Sequence, residues 1–466
     1  MNTMFNSKIA LSISVFIGAA GCTEDYCTLH PADISCKTKV ITQDTGLSVY
    51  PQRLVRSKGG NVSIKDEYNA NKEVFIALAG TKLSIGKLDD HGTLATIIKP
   101  EVIAKFKTGH ASVIIENAAI QRVPVRMKFY TEPKFTDDAG MQAVWQRNIA
   151  KDQPAAINIM PVAIEILDPI TLIAVNQFNL RDQGAVVFKN LDRYQFASGR
   201  FDPVDSTQYP REVRDSAPGN QIGLSSGIAI SQNRLLYARK VTTEAVSVIP
   251  INLSPFYFGT PISKESWNSF ASLRTDPKGT FLGAIINATL QIFADENLSS
   301  PILLEDLGAG RTRLSVASFG FGDIDGDGIA ELAVWHTENR IVSVYSYTKT
   351  QFLLNPILSD KLQARTTASL NGLLPTAVRL ADIDSDGVDD VILADGKRVL
   401  IFPSDGNGDY EETIEIPAVG SGGNALGALS AIAVGKLGDH ANAAPSLALV
   451  SSETKQIAVI LNQSTE

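Results

Sequence analysis

The fold of this chain is decided by two short stretches, Phe319-Gly-Phe-Gly-Asp-Ile-Asp-Gly-Asp-Gly-Ile-Ala-Glu-Leu332 and Leu380-Ala-Asp-Ile-Asp-Ser-Asp-Gly-Val-Asp-Asp-Val391. Each stretch places oxygen donors at loop positions 1, 3, 5 and 9, between one apolar strand and the next. Glycines supply the backbone freedom that a tight loop requires. Carboxylates packed this closely repel one another strongly unless a cation lies among them, so the pattern predicts a bound divalent ion.

Calcium is the ion that this pattern favours, because calcium binds six to eight hard oxygen ligands. The expected ligands are Asp323, Asp325, Asp327, the backbone carbonyl of Ile329 and Glu331 in one loop, and Asp382, Asp384, Asp386, the carbonyl of Val388 and Asp390 in the other. An EF-hand is excluded, since its twelfth position needs Glu and here holds Val334 or Leu393. The alternative is a pair of solvated acidic turns without a metal.

Residues from about 155 to 466 repeat one hairpin unit roughly every 50–60 residues. A short apolar strand begins at each of Leu172, Leu235, Leu282, Leu332, Val391 and Leu447, and a second strand follows each of them after a turn. One small sheet cannot bury both of its faces alone, so the repeat predicts a β-propeller of six or seven blades. A plain β-sandwich rich in hairpins, which is the alternative, predicts no fixed period.

The two acidic loops, placed within such a repeat, resemble the integrin-type propeller repeat known as FG-GAP or VCBS. The resemblance implies that each loop joins the first two strands of a blade and binds calcium. It is specific in the fourth and fifth repeats only, because the corresponding loop of the sixth, Val434–His440, has lost most carboxylates. A further stretch, Asp405-Gly-Asn-Gly-Asp409, is similar to the hairpin that often closes these repeats, and we interpret it as a turn, with a metal-binding loop as the alternative.

The body of the chain is expected to be all-β, with the propeller over residues 155–466. A smaller β-sandwich-like domain is expected over residues 41–130. There, Pro51 and the pair Gly59-Gly60 precede an alternating strand, which is similar to the opening of immunoglobulin-like TIG modules. A Gly-Gly pair is also found in an ordinary hairpin turn. Residues 131–154 are expected to be a linker, with a short helix at Asp137–Ile149.

The N-terminus predicts export and lipid attachment. Residues 1–21 read as a lipoprotein signal peptide, because the apolar run Ile9–Ala20 is too short to span a bilayer. The sequence Ala19-Ala-Gly-Cys22 is similar to a bacterial lipobox, which implies lipidation of Cys22 and a tether over residues 22–40. Cys27 and Cys36 are then expected to form a disulfide in an oxidising compartment. The alternatives are simple secretion, with Cys22 as a free thiol, and two unpaired thiols.

Composition and motifs give no sign of nucleic-acid binding or of catalysis. The 466 residues carry 50 acidic and 42 basic side chains, a formal net charge of −8, so nothing favours a polyanion as partner. All three Cys lie within the first 36 residues, which excludes a cysteine-built zinc or iron–sulfur site in the body. The serine pattern Gly223–Gly227 lies among strands rather than at a strand-to-helix turn. We therefore expect no enzyme.

The function that the sequence predicts is that of a lipid-anchored binding or adhesion protein of the bacterial cell envelope. Its calcium-binding propeller would present a recognition surface to a protein or a glycan. Thr23, directly after the lipidated cysteine, favours the outer membrane by analogy with bacterial sorting. Two alternatives are a glycan-active propeller enzyme, with carboxylates converging on the central channel, and an envelope lipoprotein that holds partner subunits together.

Overall fold

The structure is a computed structural model, and it describes only part of the chain. The described residues are 47–78, 80–106, 109–118, 124–136, 144–148, 161–168, 171–176, 185–189, 202–203, 227–231, 234–240, 246–251, 270–276, 280–286, 289–294, 301–304, 316–336, 340–370, 375–406, 408–418, 426–437, 444–451 and 453–464. The predicted signal peptide, lipidated Cys22 and the Cys27–Cys36 disulfide lie outside these residues. Among the described residues, no helix is both long and apolar enough to cross a membrane.

The described residues up to 130 form short strands. These elements are β1 (Ser48–Tyr50), β2 (Arg53–Val55), β3 (Gly60–Lys65), a 3₁₀ turn (Glu67–Asn69), β4 (Glu73–Leu78), β5 (Thr81–Lys87), β6 (Thr93–Ile98), α1 (Pro100–Ile103), β7 (His110–Ile115) and β8 (Val125–Tyr130).

The chain divides into two compact units, and the smaller one contains the described residues up to Gln52 together with Gly60–Ile98 and Ser112–Met127. In this unit β3 pairs antiparallel with β1 and β6, and β4 pairs antiparallel with β5 and β7. Along β3 the burial alternates, with Val62 and Ile64 inside and their neighbours more exposed, so one face of this sheet is buried. The immunoglobulin or TIG type of the domain over residues 41–130 stays a prediction.

The larger unit contains Arg53–Gly59, Lys99–Ala111 and Lys128–Glu466. Its elements after β8 are β9 (Val144–Asn148), β10 (Pro161–Asp168), β11 (Thr171–Asn176), β12 (Ala185–Lys189), β13 (Asp202–Pro203), β14 (Gly227–Ser231), β15 (Arg234–Lys240), β16 (Val246–Ile251), β17 (Phe270–Thr275), β18 (Phe281–Ile286), β19 (Thr289–Ala294), β20 (Pro301–Leu304), β21 (Val316–Gly322), β22 (Glu331–His336), β23 (Ile341–Tyr347), β24 (Gln351–Leu354), α2 (Pro356–Leu370), β25 (Ala377–Ala381), β26 (Asp390–Asp395), β27 (Arg398–Phe402), β28 (Ile414–Pro417), β29 (Leu429–Lys436), β30 (Pro445–Ser451) and β31 (Gln456–Ile460).

These strands form six antiparallel blades in the part of the chain that the structure describes. The blades are β10–β13, β14–β16, β17–β20, β21–β24, β25–β28, and β29–β31 together with β9. The third and fourth blades are joined by a parallel pairing of β20 with β24. The first strands β10, β14, β17, β21, β25 and β29 contact one another in this order, and β29 contacts β10. The ring therefore closes, and the larger unit is a six-bladed β-propeller.

The ring is closed by a strand that comes before the first blade. β9 pairs antiparallel with β31, with Val144 opposite Ile460 and Asn148 opposite Gln456. The predicted helix at Asp137–Ile149 is wrong over Val144–Asn148, and these residues of the predicted linker form part of a blade. The physical reason is that backbone groups at the outer edge of β31 need partners, and β9 supplies them.

Blades stack through strands that are buried on both faces. All residues of β22, β26 and β30 are buried, which explains why the sequence shows apolar runs there rather than alternation. Val344 of the fourth blade and Val391 and Leu400 of the fifth share one hydrophobic core. The same core contains Val378 of β25 and Ile324 of the loop that follows β21, so it fixes this loop against the fifth blade.

The 15-residue helix α2 departs from the all-β expectation. The helix α2 connects the fourth and fifth blades, and its Leu358 and Leu362 are buried in the core that these blades share. The side chain of Asn355 caps its first turn by accepting a hydrogen bond from the backbone N–H of Leu358, at 3.1 Å. The helical period was not visible in the sequence, because few of its positions face the core.

We expect that replacing Val144–Asn148 with a Gly-Ser segment of the same length lowers the melting temperature, because the sixth blade loses its outer strand and the ring its closure. Thermal unfolding measures the change. Hydrogen exchange at the backbone amides of Gln456–Ile460 should become faster in the same variant. An unchanged melting temperature with unchanged exchange in β31 would contradict the observed pairing.

Candidate metal centre

The two acidic stretches form equivalent loops in adjacent blades. The first acidic loop, residues 323–331, joins β21 to β22, and the second acidic loop, residues 382–390, joins β25 to β26. Gly326, Gly328 and Gly387 adopt φ values of 71°, 86° and 88°, the left-handed region in which glycine is favoured. The glycines therefore supply the backbone freedom that the sequence predicts for these tight loops. Ser385 takes the place of Gly326 in the second loop, with a φ of 58°.

Three carboxylates converge in the first acidic loop. One oxygen each from Asp323, Asp325 and Glu331 lie within 4.8 Å of one another. Glu331 is only 1% exposed, and one of its oxygens accepts a hydrogen bond from the N–H of Ile324 at 2.9 Å. Asp327 is not part of this group, and its Oδ1 accepts a hydrogen bond from the N–H of Ile329 at 2.7 Å.

The same three positions converge in the second acidic loop. Oxygens of Asp382, Asp384 and Asp390 lie within 4.8 Å of one another, and the last two residues are fully or almost fully buried. Asp386 lies outside this group, like Asp327 in the first loop, and accepts a hydrogen bond from the N–H of Val388 at 2.7 Å. The structure thus brings together positions 1, 3 and 9. The ligand roles of the triad residues stay predictions, as do those of Asp327, Asp386 and the carbonyls of Ile329 and Val388.

The two loops are hydrogen-bonded to each other. The N–H of Asp323 donates to the side chain of Asp389 at 2.8 Å, and the N–H of Asp389 donates to the carbonyl of Asp323 at 2.7 Å. Gly322 lies so close that a Cβ there would be 2.8 Å from the Cβ of Asp389. Only glycine allows this approach. The two acidic loops are therefore in direct contact between the fourth and fifth blades, and we call them together the acidic seam.

Burial and crowding raise the pKa values of these carboxyl groups. Burial, followed by the charge of Asp325, raises the pKa of Glu331 to about 8. Burial also raises the pKa of Asp384 to about 7 and that of Asp389 to about 6, and it raises the pKa values of Asp382 and Asp390. These shifts mean that the metal-free loops hold their negative charge at a cost, which a divalent cation would offset.

Two side chains at the second acidic loop were missed by the sequence analysis. The ammonium group of Lys128 lies 2.7 Å from Asp384 Oδ2, and Nε2 of His110 lies 2.9 Å from Asp386 Oδ2. Both residues belong to the strands β7 and β8, far from the loop in sequence. No local signal in the sequence could have placed these two residues here, because each reaches the loop only through the tertiary fold.

The stretch Asp405–Asp409 is a turn, as the sequence analysis interpreted it. The N–H of Asp409 donates to Asp405 Oδ1 at 2.8 Å, and the N–H of Asp405 donates to the carbonyl of Asp409 at 3.0 Å. Two other stretches lie outside the described residues, namely residues 223–226 of the serine pattern, whose Gly227 begins β14, and residues 438–440 of the sixth blade.

Comparison with known proteins gives only distant likenesses. No protein-family model matches this chain, and no curated protein is significantly similar to it. Among solved structures, the WD40 repeats of RRP9 cover 71% of this chain and 100% of their own chain, with 10% identity and a TM-score of 0.40. The structure of U3-55K covers 65% of this chain and 95% of its own, with 9% identity and a TM-score of 0.37. Likenesses this distant say nothing about what the chain binds.

We expect Glu331→Gln to stabilise the metal-free protein more at pH 8 than at pH 5. The folded-state pKa of Glu331, about 8, lies above its ordinary value of 4.5. The folded chain therefore keeps a proton that the unfolded chain loses, and the stability from this group disappears as the pH rises through this range. Denaturant unfolding in chelator at both pH values measures the difference between variant and wild type. A difference that is constant or shrinks with rising pH would contradict the burial of this carboxyl group.

Proposed function

We propose that this chain is a calcium-stiffened β-propeller of the FG-GAP or VCBS type that presents a recognition surface to a protein or a glycan. The observation that carries the proposal is the convergence of equivalent carboxylate triads in adjacent blades, Asp323, Asp325 and Glu331 in one and Asp382, Asp384 and Asp390 in the other. A propeller holds its connecting loops on a rigid ring, and loops held in this way are common recognition surfaces.

The donor set of the triads fits calcium. Two oxygens that bind one calcium ion at 2.3–2.6 Å lie at most about 5 Å apart, and the oxygens of each triad lie within 4.8 Å of one another. Every side-chain donor in the triads is a carboxylate oxygen, which suits a hard cation rather than zinc. In addition, Asp384 is 2% exposed and its Oδ1 has no hydrogen-bond partner, so this oxygen is available to a ligand.

The proposed ion has a mechanical role. The acidic loops are linked by the reciprocal hydrogen bonds between Asp323 and Asp389, so an ion in either loop acts on both blades. Neutralising the carboxylates removes the repulsion that would otherwise push the loops apart. The loops near the seam would then keep one conformation, which lowers the ordering cost of binding a partner.

The cellular place of the protein is proposed from the sequence alone. The lipobox-like Ala19–Cys22 supports a lipid anchor on Cys22, and Thr23 supports the outer membrane of the bacterial cell envelope. An anchored propeller would be available to partners in the envelope or on the cell surface. Stable co-purification of one partner subunit would favour the assembly-scaffold alternative over adhesion.

We expect Asp325→Ala to reduce the rise in melting temperature that calcium causes, because binding to the native state alone adds stability and this variant removes a ligand. Melting curves in millimolar calcium and in chelator measure the rise. The matched control is Asp360→Ala, which removes an exposed carboxylate on α2, outside the triads. Equal melting of the wild type in calcium and in chelator would contradict calcium binding.

We expect the wild-type chain to fractionate with membranes and a Cys22→Ser variant to be released, since the variant has no sulfur for the lipid. The released variant, immobilised, should retain a protein or glycan from an envelope extract in calcium but not in chelator. Adding Asp325→Ala to the bait should reduce this retention. Retention that is the same with calcium, with chelator and with the added substitution would argue against a calcium-dependent recognition surface.

A further inference from the structure

The second acidic loop already contains a positive charge that belongs to the protein. Lys128 is 3% exposed, and its ammonium nitrogen lies 2.7 Å from Asp384 Oδ2 and 2.9 Å from Asp386 Oδ2. The same nitrogen donates to the carbonyl oxygen of Ser404 at 2.7 Å. An ammonium group has three N–H donors, and these three oxygens can take all of them. A side chain so placed is a fixed part of the loop.

The environment keeps this lysine charged. Burial alone lowers the pKa of Lys128, but the negative charges of Asp384, Asp386, Asp390 and Glu411 outweigh burial and raise its pKa above the ordinary value. Glu411 Oε1 lies 3.5 Å from the ammonium nitrogen. The surrounding carboxylates therefore favour the charged ammonium form of Lys128.

The segments on either side of Lys128 and around Gly109 also hold the second acidic loop. The N–H of Thr131 donates to the carbonyl of Asp384 at 2.7 Å, and Gly109 donates to the carbonyl of Asp386. A Cβ at Gly109 would be 2.3 Å from the Cα of Asp386, so only glycine fits at this position. The loop is thus shaped by contacts that need no metal.

We propose that Lys128 is the resident cation of the second acidic loop and that its ammonium group competes there with a divalent ion. The inference rests on the proposed calcium sites and refines them. The ammonium occupies one oxygen of Asp384, a member of the triad, and repels any further cation at close range. The ammonium group stabilises the second acidic loop in the absence of calcium, and the same positive charge weakens the affinity of the loop for the ion.

The test isolates the second loop and then removes the lysine. In an Asp325→Ala background, which disables the first loop, we expect Lys128→Met to raise the calcium affinity at least about tenfold, because the competing charge is lost. Isothermal titration with calcium chloride measures the affinity. The matched control is Lys361→Met in the same background, which removes a lysine that pairs with Asp409 outside both triads.

A second measurement, the melting temperature, and a second variant keep the test valid if Lys128→Met does not fold. Lys128→Met should have a lower melting temperature than its parent in chelator, since buried carboxylates lose their partner. The rise in melting temperature that calcium causes should be larger in this variant than in the parent. If the single variant does not fold, Lys128→Met combined with Glu411→Gln removes one charge of each sign and leaves every predicted calcium ligand of the loop intact. The same rise in affinity is expected.

The outcomes separate this inference from the proposed function. An unchanged or weaker calcium affinity without the lysine, in a background that still binds calcium, would overturn the inference and leave the proposed calcium sites standing. Such a result would mean that Lys128 orients Asp384 for the metal. If neither the wild type nor any variant binds calcium, the proposed metal function and this inference both fail.

Discussion

The structure around the acidic seam depends on one constraint: carboxylates that are buried next to one another must share a positive charge. Glu331, Asp384 and Asp390 are all almost completely buried, and the pKa values of all three are raised by that burial. A cluster of this kind is unfavourable unless hydrogen bonds and cations offset the repulsion. Loop backbone amides donate to Glu331 and Asp390, and a lysine side chain reaches Asp384.

The position of the acidic seam explains why the protein tolerates the repulsion among these buried carboxylates. The strands β21 and β25 contact each other, and Ile324 of the first acidic loop is buried in the core shared by the fourth and fifth blades, so the two acidic loops lie side by side. The approach of Gly322 to Asp389 then leaves room for backbone hydrogen bonds between the loops. Apolar packing between blades thus holds charged groups at distances that they would not adopt on their own.

Sequence reasoning reached the features that are encoded locally. The spacing of Asp323, Asp325 and Glu331 predicted a convergent set, and the recurring hairpins predicted a propeller, because both signals lie within short stretches of chain. Three features were out of reach. The pairing of β9 with β31 joins residues about 300 positions apart, α2 has few core-facing positions, and Lys128 meets the loop only through the tertiary fold. The number of blades follows only from the contacts among the first strands around the ring, which the sequence does not show.

The sixth blade combines β9, from before the first blade, with strands from after the fifth blade, and this affects the order in which the propeller folds. Its outer strand is translated before any other strand of the ring, and its partner Gln456–Ile460 is among the last segments described. A nascent chain therefore carries β9 through the synthesis of five entire blades with an unsatisfied edge. The strand β9 can pair with β31 only after the final hairpin has been synthesised. A polypeptide truncated before this hairpin would therefore form an incomplete ring with unpaired strand edges, which favour aggregation.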